Sequence, residues 1–227
     1  MEITSIIIAG GRSSRMGTNK ALLPVNGMAV IERIIGELEP VSQRILIAGG
    51  QHHDYNHLGP EVVTDQYPDM GPLAGLYAGL SAATTEWSLV VACDMPFVHK
   101  GVFAEIRERV IQIEEENASI EKEERVQAII VKADGRIQPL LAAYRHGVLP
   151  GLQLALEGGR LRMSEWVANL HVEYIDGADL ADKLGDTERM LQFNMNDIED
   201  YEWARAMLSG EKPRRDFPQW RMSNSEL

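Results

Sequence analysis

Residues 6–24 have the sequence IIIAGGRSSRMGTNKALLP, and this segment is the strongest indication of the fold class. Its short apolar run ends in two glycines, Gly10 and Gly11, and a polar loop follows before the chain becomes apolar again. Three cations lie in that loop: Arg12, Arg15 and Lys20. Glycine lets backbone N–H groups approach an anion, and Arg and Lys add positive charge beside it. The stretch therefore predicts a phosphate-binding loop at the end of the first strand of a parallel sheet.

The two commonest phosphate-binding motifs do not fit this loop. In a Walker loop a Lys follows directly after Gly, whereas here Thr18 and Asn19 separate Gly17 from Lys20. The G-x-G-x-x-G pattern of dinucleotide-binding folds is also missing from the loop. The residues alone leave two interpretations open: a triphosphate-binding loop, or a plain strand-to-helix turn whose cations face solvent.

Apolar runs of strand length alternate with runs of helical period along the rest of the chain. Strands are expected at residues 3–9, 44–48, 61–64, 87–92, 126–131, 140–144 and 172–175. Helices are expected at residues 29–38, 72–83, 102–113, 148–157, 161–170 and 197–208. This alternation predicts an α/β protein with three layers, α/β/α, around a mostly parallel sheet. No linker divides the chain, so we expect a single domain over residues 1–208 and a flexible tail over 209–227.

Composition excludes several classes of function. The 227 residues carry 34 acidic and 22 basic side chains and a formal net charge of -12, which disfavours nucleic acid as a partner. The one cysteine, Cys93, cannot form a disulfide within the chain, as expected for a reducing compartment. No signal peptide and no apolar run of about 20 residues is present, so we expect a cytoplasmic protein without a membrane partner. The closely spaced His52, His53 and His57 lack the spacing of a metal site and are expected at the surface.

Two aspartates follow predicted strands at the edge where the glycine loop is expected. Asp65 comes directly after EVVT, and its carboxylate either closes a turn or contacts a nucleotide. Asp94 follows the apolar run WSLVVA and Cys93, where a carboxylate is costly unless it is paired, hydrogen-bonded or bound to a metal. Mg²⁺ is the natural partner, since it prefers one or two carboxylates together with phosphate oxygens. The alternative for Asp94 is a cap on the following turn.

Three segments together resemble a known family. They are AGGRSSRMGTNKALLP at residues 9–24, GPLAG at 71–75 and CDMP at 93–96. The first resembles the nucleotidyltransferase superfamily with a Rossmann-like fold, whose glycine-rich loop ends in Lys. Its RMG triplet is similar to that of the molybdenum cofactor guanylyltransferase (MobA) family. The resemblance implies transfer of GMP from GTP to Mo-molybdopterin, which forms molybdopterin guanine dinucleotide and releases pyrophosphate.

The same resemblance implies roles for particular residues. Catalysis is assigned to Lys20, Arg15 and Asp94, and Asp94 is also assigned to Mg²⁺. Nucleotide contacts are assigned to Ile8, Ala9, Gly10, Gly11, Lys20, Asp65, Gly71, Pro72, Leu73 and Asp94. GTP and Mo-molybdopterin would be the small-molecule substrates, and molybdoenzymes or other proteins of the cofactor pathway are further candidate partners.

Late segments also resemble the family, individually more weakly. QPLLAAY at residues 138–144 and FNMND at 193–197 are similar to family segments. Asn194 and Asn196 are implied to contact the second substrate or its phosphate, and Asp197 is expected to cap the following helix. Weaker candidates for the pterin phosphate, with plain surface positions as the alternative, are Arg160 and Arg162.

Two departures from the family pattern bear on these expectations. The chain has Asn196-Asp197-Ile198 where the family commonly has Asn-Thr-Pro, and AGG at residues 48–50 where the family can carry Asn. The second departure removes a side-chain contact to the base. Three alternatives therefore stay open: cytidylyl transfer to the molybdenum cofactor, nucleotidyl transfer to a sugar or isoprenoid phosphate, and a non-catalytic nucleotide or cofactor carrier.

Overall fold

A computed structural model describes residues 1–10, 19–49, 55–116, 121 and 124–213. The strands in these ranges are β1 (Thr4–Ile8), β2 (Pro24–Val25), β3 (Met28–Ala29), β4 (Arg44–Ala48), β5 (Glu61–Val63), β6 (Trp87–Ala92), β7 (Ala128–Ala133), β8 (Arg136–Arg145) and β9 (Val172–Asp176). The helices are α1 (Val30–Leu38), α2 (Pro72–Ala82), α3 (Lys100–Glu116), α4 (Leu149–Glu157), α5 (Met163–Val167), α6 (Gly177–Leu184), α7 (Glu188–Leu191) and α8 (Ile198–Leu208). Short 3-10 helices span Lys20–Leu22 and His146–Val148.

Seven strands form one sheet in the order β5-β4-β1-β6-β8-β7-β9. All neighbouring pairs are parallel except the two that involve β8, which runs antiparallel to both β6 and β7. The prediction of a mostly parallel sheet is confirmed. The carboxyl ends of β5, β4, β1 and β6 consequently meet at one edge, where parallel α/β sheets place their ligands.

β1 is buried over its whole length because it lies between two strands and is covered on both faces. Alternate side chains enter opposite cores: Ile7 packs with α1 and α3, whereas Ile6 and Ile8 pack with α2 and α4. The three-layer α/β/α arrangement is therefore confirmed. A Cβ at Gly79 of α2 would overlap the Ile6 side chain, so the glycine lets α2 approach the sheet closely.

Some elements differ from the sequence-based expectation. The strand expected at 140–144 starts at Arg136 and passes through Pro139, because the β7–β8 register shifts between Ile130 and Val131. A strand tolerates proline at such an irregularity. The helix expected at 161–170 is shortened to Met163–Val167.

Three further elements were not predicted. The hairpin β2–β3 turns at Asn26 and Gly27, both in the left-handed region with φ of 53° and 79°. Helix α6 is capped by Asp176, whose carboxylate accepts hydrogen bonds from two backbone amides, and α7 spans a single turn. Among the described helices, none has both the length and the apolar character that crossing a membrane requires.

Candidate active site

The chain leaves β1 at the carboxyl edge of the sheet and stays hydrogen-bonded to both neighbouring strands. The Ala9 N–H donates to the Ala48 carbonyl at 2.9 Å, and the Cys93 N–H donates to the Ile8 carbonyl at 3.0 Å. Gly10 and Asp94 therefore lie just beyond adjacent strand ends. The structure thus places Gly10, the first glycine of the predicted loop, at the same edge as Asp94, and the rest of the loop stays a prediction.

Lys20 and Asp94 face each other across this edge. The Lys20 Nζ atom lies 3.7 Å from Asp94 Oδ2, and the two side chains are only 20% and 23% exposed. Lys20 opens the short helix Lys20–Leu22, whose N-cap is Asn19. The separation is longer than a normal hydrogen bond, so the two charges attract without forming a close ion pair.

Burial shifts the titration of the residues at the end of β6. Burial raises the pKa of the Asp94 carboxyl, the Lys20 ammonium opposes that rise, and the carboxylate of Asp200 adds to it. The pKa of the Cys93 thiol is also raised, first by burial and then by Asp94. A thiol whose pKa is raised stays protonated and unreactive at neutral pH, so Cys93 acts here as a packing residue.

The described residues contain no group of three or more His, Cys, Asp or Glu side chains able to hold a metal by themselves. Asp94 therefore offers one carboxylate at the edge where phosphates are expected. That donor set fits Mg²⁺, which commonly binds one or two carboxylates and takes its remaining ligands from phosphate and water. It does not fit a metal centre made of protein ligands alone.

The segment that contains Asn194 and Asn196 packs directly against Asp94. The Met195 N–H donates to the Asp94 carbonyl at 2.9 Å, and the Asn196 N–H donates to Asp200 Oδ2 at 2.7 Å. The two carboxamides also hold the segment's own shape, because their Nδ2 groups donate to the carbonyls of residues 192 and 194. The structure thus brings both predicted second-substrate asparagines beside the Lys20–Asp94 pair.

An aromatic cluster holds this arrangement in place. Phe97 follows Asp94, Phe193 precedes Asn194, and Trp203 belongs to α8. Their ring centroids lie 5.1 to 5.5 Å apart, and all three side chains are buried. The expected cap on α8 is also present, since Asp197 accepts hydrogen bonds from the Glu199 and Asp200 amides.

The amino end of α2 lies next to the end of β1. A Cβ at Gly75 would be 3.3 Å from Ile8 Cγ2 and 3.8 Å from the Ala48 Cβ. Gly71 precedes the helix with φ 72° and ψ -159°, a conformation that side-chain-bearing residues rarely adopt. Gly71, Pro72 and Leu73 are therefore placed at the same edge as Gly10.

Asp65 lies farther from the pair. Its Oδ1 accepts a hydrogen bond from the Tyr67 N–H at 2.8 Å, so it closes a turn, and burial raises its pKa. Asp65 follows β5, and three strand spacings, roughly 14 Å, separate β5 from the strand that carries Asp94. A nucleotide contact of Asp65 would have to lie at the opposite end of the ligand from Lys20.

The two arginines suggested for the pterin phosphate are exposed. Arg160 Nη2 donates to the Leu154 carbonyl at 3.4 Å, at the end of α4. Arg162 pairs with Glu165 at 3.1 Å, and both side chains are more than half exposed. Within the described residues, Arg160 and Arg162 therefore have the contacts of surface residues. A role of either arginine in substrate binding stays a prediction.

Several predicted residues lie outside the described ranges: Gly11, Arg12, Arg15, His52 and His53. His57 is described and is exposed, as expected. Sequence reasoning missed Tyr55, Asn19 and Asp200. Tyr55 lies in a polar stretch without periodicity, so no sequence signal marks it as buried. Asp200 could have been found, because a carboxylate three residues after a capping Asp is a capping-box signature.

Comparison with known proteins supplies independent observations. The profile of the MobA-like NTP transferase domain matches residues 5–172. The chain is 32% identical over 215 residues to a Pelotomaculum thermopropionicum protein named probable molybdenum cofactor guanylyltransferase, covering 95% of this chain and 98% of the relative. A Carboxydothermus hydrogenoformans protein of the same name is 31% identical over 207 residues, covering 91% and 97%.

One solved structure has a similar fold. It is molybdopterin-guanine dinucleotide biosynthesis protein A from Archaeoglobus fulgidus, with a TM-score of 0.71 and 24% identity. The superposition covers 91% of this chain and 99% of that one. At this level of identity the similarity supports the fold.

Proposed function

Because this chain belongs to the MobA-like NTP transferase domain family, we propose that it is a molybdenum cofactor guanylyltransferase. It transfers GMP from GTP to Mo-molybdopterin, which yields molybdopterin guanine dinucleotide and pyrophosphate. The membership itself makes the chain a nucleotidyltransferase. The guanine base and the pterin acceptor come from the names of its relatives.

The observation that carries the proposal is the loose pairing of Lys20 with Asp94 at the carboxyl edge, with 3.7 Å between Nζ and Oδ2. A structural ion pair would close to hydrogen-bond distance, whereas this one leaves both groups able to engage a ligand. The ammonium suits the phosphate oxygens of a triphosphate. The carboxylate suits the Mg²⁺ that accompanies them.

The reaction needs no protein nucleophile. A terminal phosphate oxygen of molybdopterin forms a bond to the α-phosphorus of GTP, the bond from that phosphorus to the bridging oxygen breaks, and pyrophosphate leaves with the electron pair. Lys20 and Arg15 hold the triphosphate and offset negative charge on the departing group. Mg²⁺ on Asp94, when bound, would neutralise charge on the phosphates. Positioning and charge compensation account for the rest of the catalysis.

The remaining residues divide between the two substrates. Ile8, Ala9 and Gly10 approach the nucleotide from the end of β1, and Gly11 is assigned to the same contact. Gly71, Pro72 and Leu73 take the nucleotide beside the end of β1, and Asp65, which follows β5, takes its nucleoside end. The second substrate approaches from the segment with Asn194 and Asn196, which packs against Asp94. The two substrates thus meet over Asp94.

The setting of the reaction is also part of the proposal. GTP and Mo-molybdopterin are the substrates, Mg²⁺ is the cofactor, and the reaction takes place in the cytoplasm. Molybdoenzymes or other proteins of the pathway would receive the product.

Pyrophosphate release tests the proposal. The chain is incubated with Mg²⁺ and GTP, CTP, ATP or UTP, with and without Mo-molybdopterin. Release with GTP that depends on the cofactor is expected. Release with CTP alone would show a cytidylyltransferase, and release with a sugar or isoprenoid phosphate as acceptor would show another pathway. Tight binding of both substrates without any release would show a carrier.

A further inference from the structure

The hydroxyl of Tyr55 joins the two chain segments that flank residues 11–18. It lies 3.2 Å from the Ala9 carbonyl oxygen, 2.9 Å from Asn19 Nδ2 and 3.1 Å from Asn19 Oδ1. Asn19 Oδ1 also accepts a hydrogen bond from the Ala21 N–H at 3.2 Å. Since a hydroxyl has one proton, the arrangement that satisfies every group runs from Asn19 Nδ2 to the Tyr55 hydroxyl and on to the Ala9 carbonyl.

We call these contacts the Tyr55 bridge: the Tyr55 hydroxyl, the Ala9 carbonyl and the Asn19 carboxamide. The Tyr55 side chain is 1% exposed, so its hydroxyl must find its partners inside the protein. The ring lies over Gly49, where a Cβ would be 2.8 Å from Cδ2 and 2.9 Å from Cε2. A buried ring cannot move aside easily, and glycine at this position therefore makes room for the bridge.

The bridge acts on the residue immediately before Lys20. Asn19 is the N-cap of the helix Lys20–Leu22, so a shift of Asn19 moves the backbone from which the Lys20 side chain projects. Ala9 lies at the end of β1 and is itself hydrogen-bonded to β4. The bridge thus ties the start of this short helix to a strand that is buried over its whole length.

We propose that Tyr55 is a positioning residue that fixes Lys20 opposite Asp94 by joining Asn19 to the end of β1. The inference rests on the proposed function, in which Lys20 binds the triphosphate. It assigns no chemistry to Tyr55, which acts only through Lys20. Because neither β1 nor the Tyr55 ring can shift without disturbing packed neighbours, the backbone position from which the Lys20 side chain reaches toward Asp94 is set before a nucleotide arrives.

The test compares Tyr55→Phe with Tyr144→Phe, measuring GTP affinity by titration calorimetry and stability by thermal unfolding. Tyr144 is a matched control, because it is fully buried and its hydroxyl donates to a backbone carbonyl, that of Pro139, at 2.8 Å. Both variants lose one buried hydroxyl. We expect Tyr55→Phe to weaken GTP binding by roughly five- to tenfold, and Tyr144→Phe to leave it within a factor of about two.

A double-mutant cycle separates positioning from general destabilisation. In a Lys20→Ala background, Tyr55→Phe should weaken GTP binding no further, because the residue it positions is missing. Gly49→Ala, which displaces the ring but keeps the hydroxyl, should reproduce the effect of Tyr55→Phe. The inference is overturned if Tyr55→Phe binds GTP like the wild type, if it has the same effect without Lys20, or if Tyr144→Phe has an equal effect.

Amide hydrogen exchange keeps this test separate from the proposed function. Loss of the bridge should speed exchange of the Ala21 amide, which is bonded to Asn19, in Tyr55→Phe but not in Tyr144→Phe. If the wild-type chain binds no GTP, the proposed function fails while this exchange experiment still decides on the bridge. Unchanged Ala21 exchange in Tyr55→Phe would reject the bridge whatever the nucleotide does.

Discussion

A poorly exposed charge lies at each end of β6, Arg145 of β8 beside its amino end and Asp94 just after its carboxyl end, and the two charges differ in how completely they are paired. At the amino end, Arg145 is 10% exposed and pairs with Glu86 at 2.7 Å. Its other nitrogens donate to Glu114 and to the Val126 carbonyl, and its guanidinium lies 4.8 Å from the ring centroid of Trp87. At the carboxyl end, Asp94 faces Lys20 at 3.7 Å and its pKa is raised.

This difference separates a charge whose contacts are complete within the fold from the charge that we propose acts on the substrates. Every nitrogen of Arg145 has a partner, so its contacts are complete without a ligand. Asp94 is held in a position that disfavours its ionised form, which a cation or a positively charged group would relieve. We expect substitutions at the two ends to separate stability from activity.

Asp94→Asn should give the largest effect, a loss of about 10²- to 10³-fold in the rate of pyrophosphate release, since it removes the carboxylate proposed for Mg²⁺. The free energy of unfolding at neutral pH should not fall, because the ionised carboxyl is disfavoured in the folded chain. Steady-state kinetics and thermal unfolding measure the two quantities. A variant that keeps the wild-type rate would remove Asp94 from the mechanism.

Arg145→Met should lower stability and leave substrate binding intact, the opposite of Asp94→Asn. It leaves Glu114 and the Val126 carbonyl without this partner and should lower the free energy of unfolding by about 2 kcal/mol, less than for a fully buried pair because Glu86 is solvent-exposed. GTP affinity of the folded variant should be unchanged. Arg162→Met is the control, since its exposed pair with Glu165 should be worth less than about 0.5 kcal/mol. Urea titration measures the free energy of unfolding of both variants. Equal losses for Arg145→Met and Arg162→Met would contradict the structural role of Arg145.

Gly71→Ala tests the backbone conformation at the same edge of the sheet as Asp94. A Cβ at Gly71 meets open space, but φ of 72° is unfavourable for alanine, so we expect a loss of about 1–2 kcal/mol and weaker GTP binding. Gly36→Ala is the control, because this exposed glycine inside α1 should gain up to about 1 kcal/mol. A Gly71→Ala variant as stable as the wild type would contradict a positive φ at the residue before α2.

The pH dependence should be the smallest effect. The pKa of Asp94 is raised above its ordinary 3.8, so between that value and the raised one the folded chain binds the proton more tightly than the unfolded chain does. Asp94 therefore makes a contribution to stability that is lost as pH rises through this window. Mg²⁺-dependent GTP binding should strengthen over the same window, since the metal requires the ionised carboxylate. Asp94→Asn should abolish both trends, and their persistence in that variant would assign them to another group.

The sequence predicts an element best where the spacing of its apolar residues fits only one type of secondary structure. Local patterns predict the apolar strand β1, the helix α1 and the carboxylate that follows β6. None of these predictions requires knowledge of contacts between distant residues. The positions of Arg15 and Gly11 stay predictions, because both lie outside the described residues.

Long-range contacts explain what local patterns could not provide. Tyr55 meets Asn19 across 36 positions of sequence, and Pro139 is accommodated in β8 only because the partner strand shifts its register. The turn at Asp65 is local by contrast, because its carboxylate accepts a hydrogen bond from the Tyr67 N–H two residues later. Local sequence patterns thus predict the helices and strands, whereas contacts between distant residues determine how the side chains of the candidate site are arranged.

The hydrogen bond from Met195 to the Asp94 carbonyl also has a consequence for the order of synthesis. The segment with the two asparagines leaves the ribosome about 100 residues after Asp94, which at 5–20 residues per second is a delay of roughly 5–20 s. α8 then docks on the early hairpin, where Asn26 Nδ2 donates to the Leu208 carbonyl at 2.7 Å. The segment proposed to bind the acceptor is therefore the last part of the candidate site to leave the ribosome, and a chain cut short before it would carry only Lys20 and Asp94.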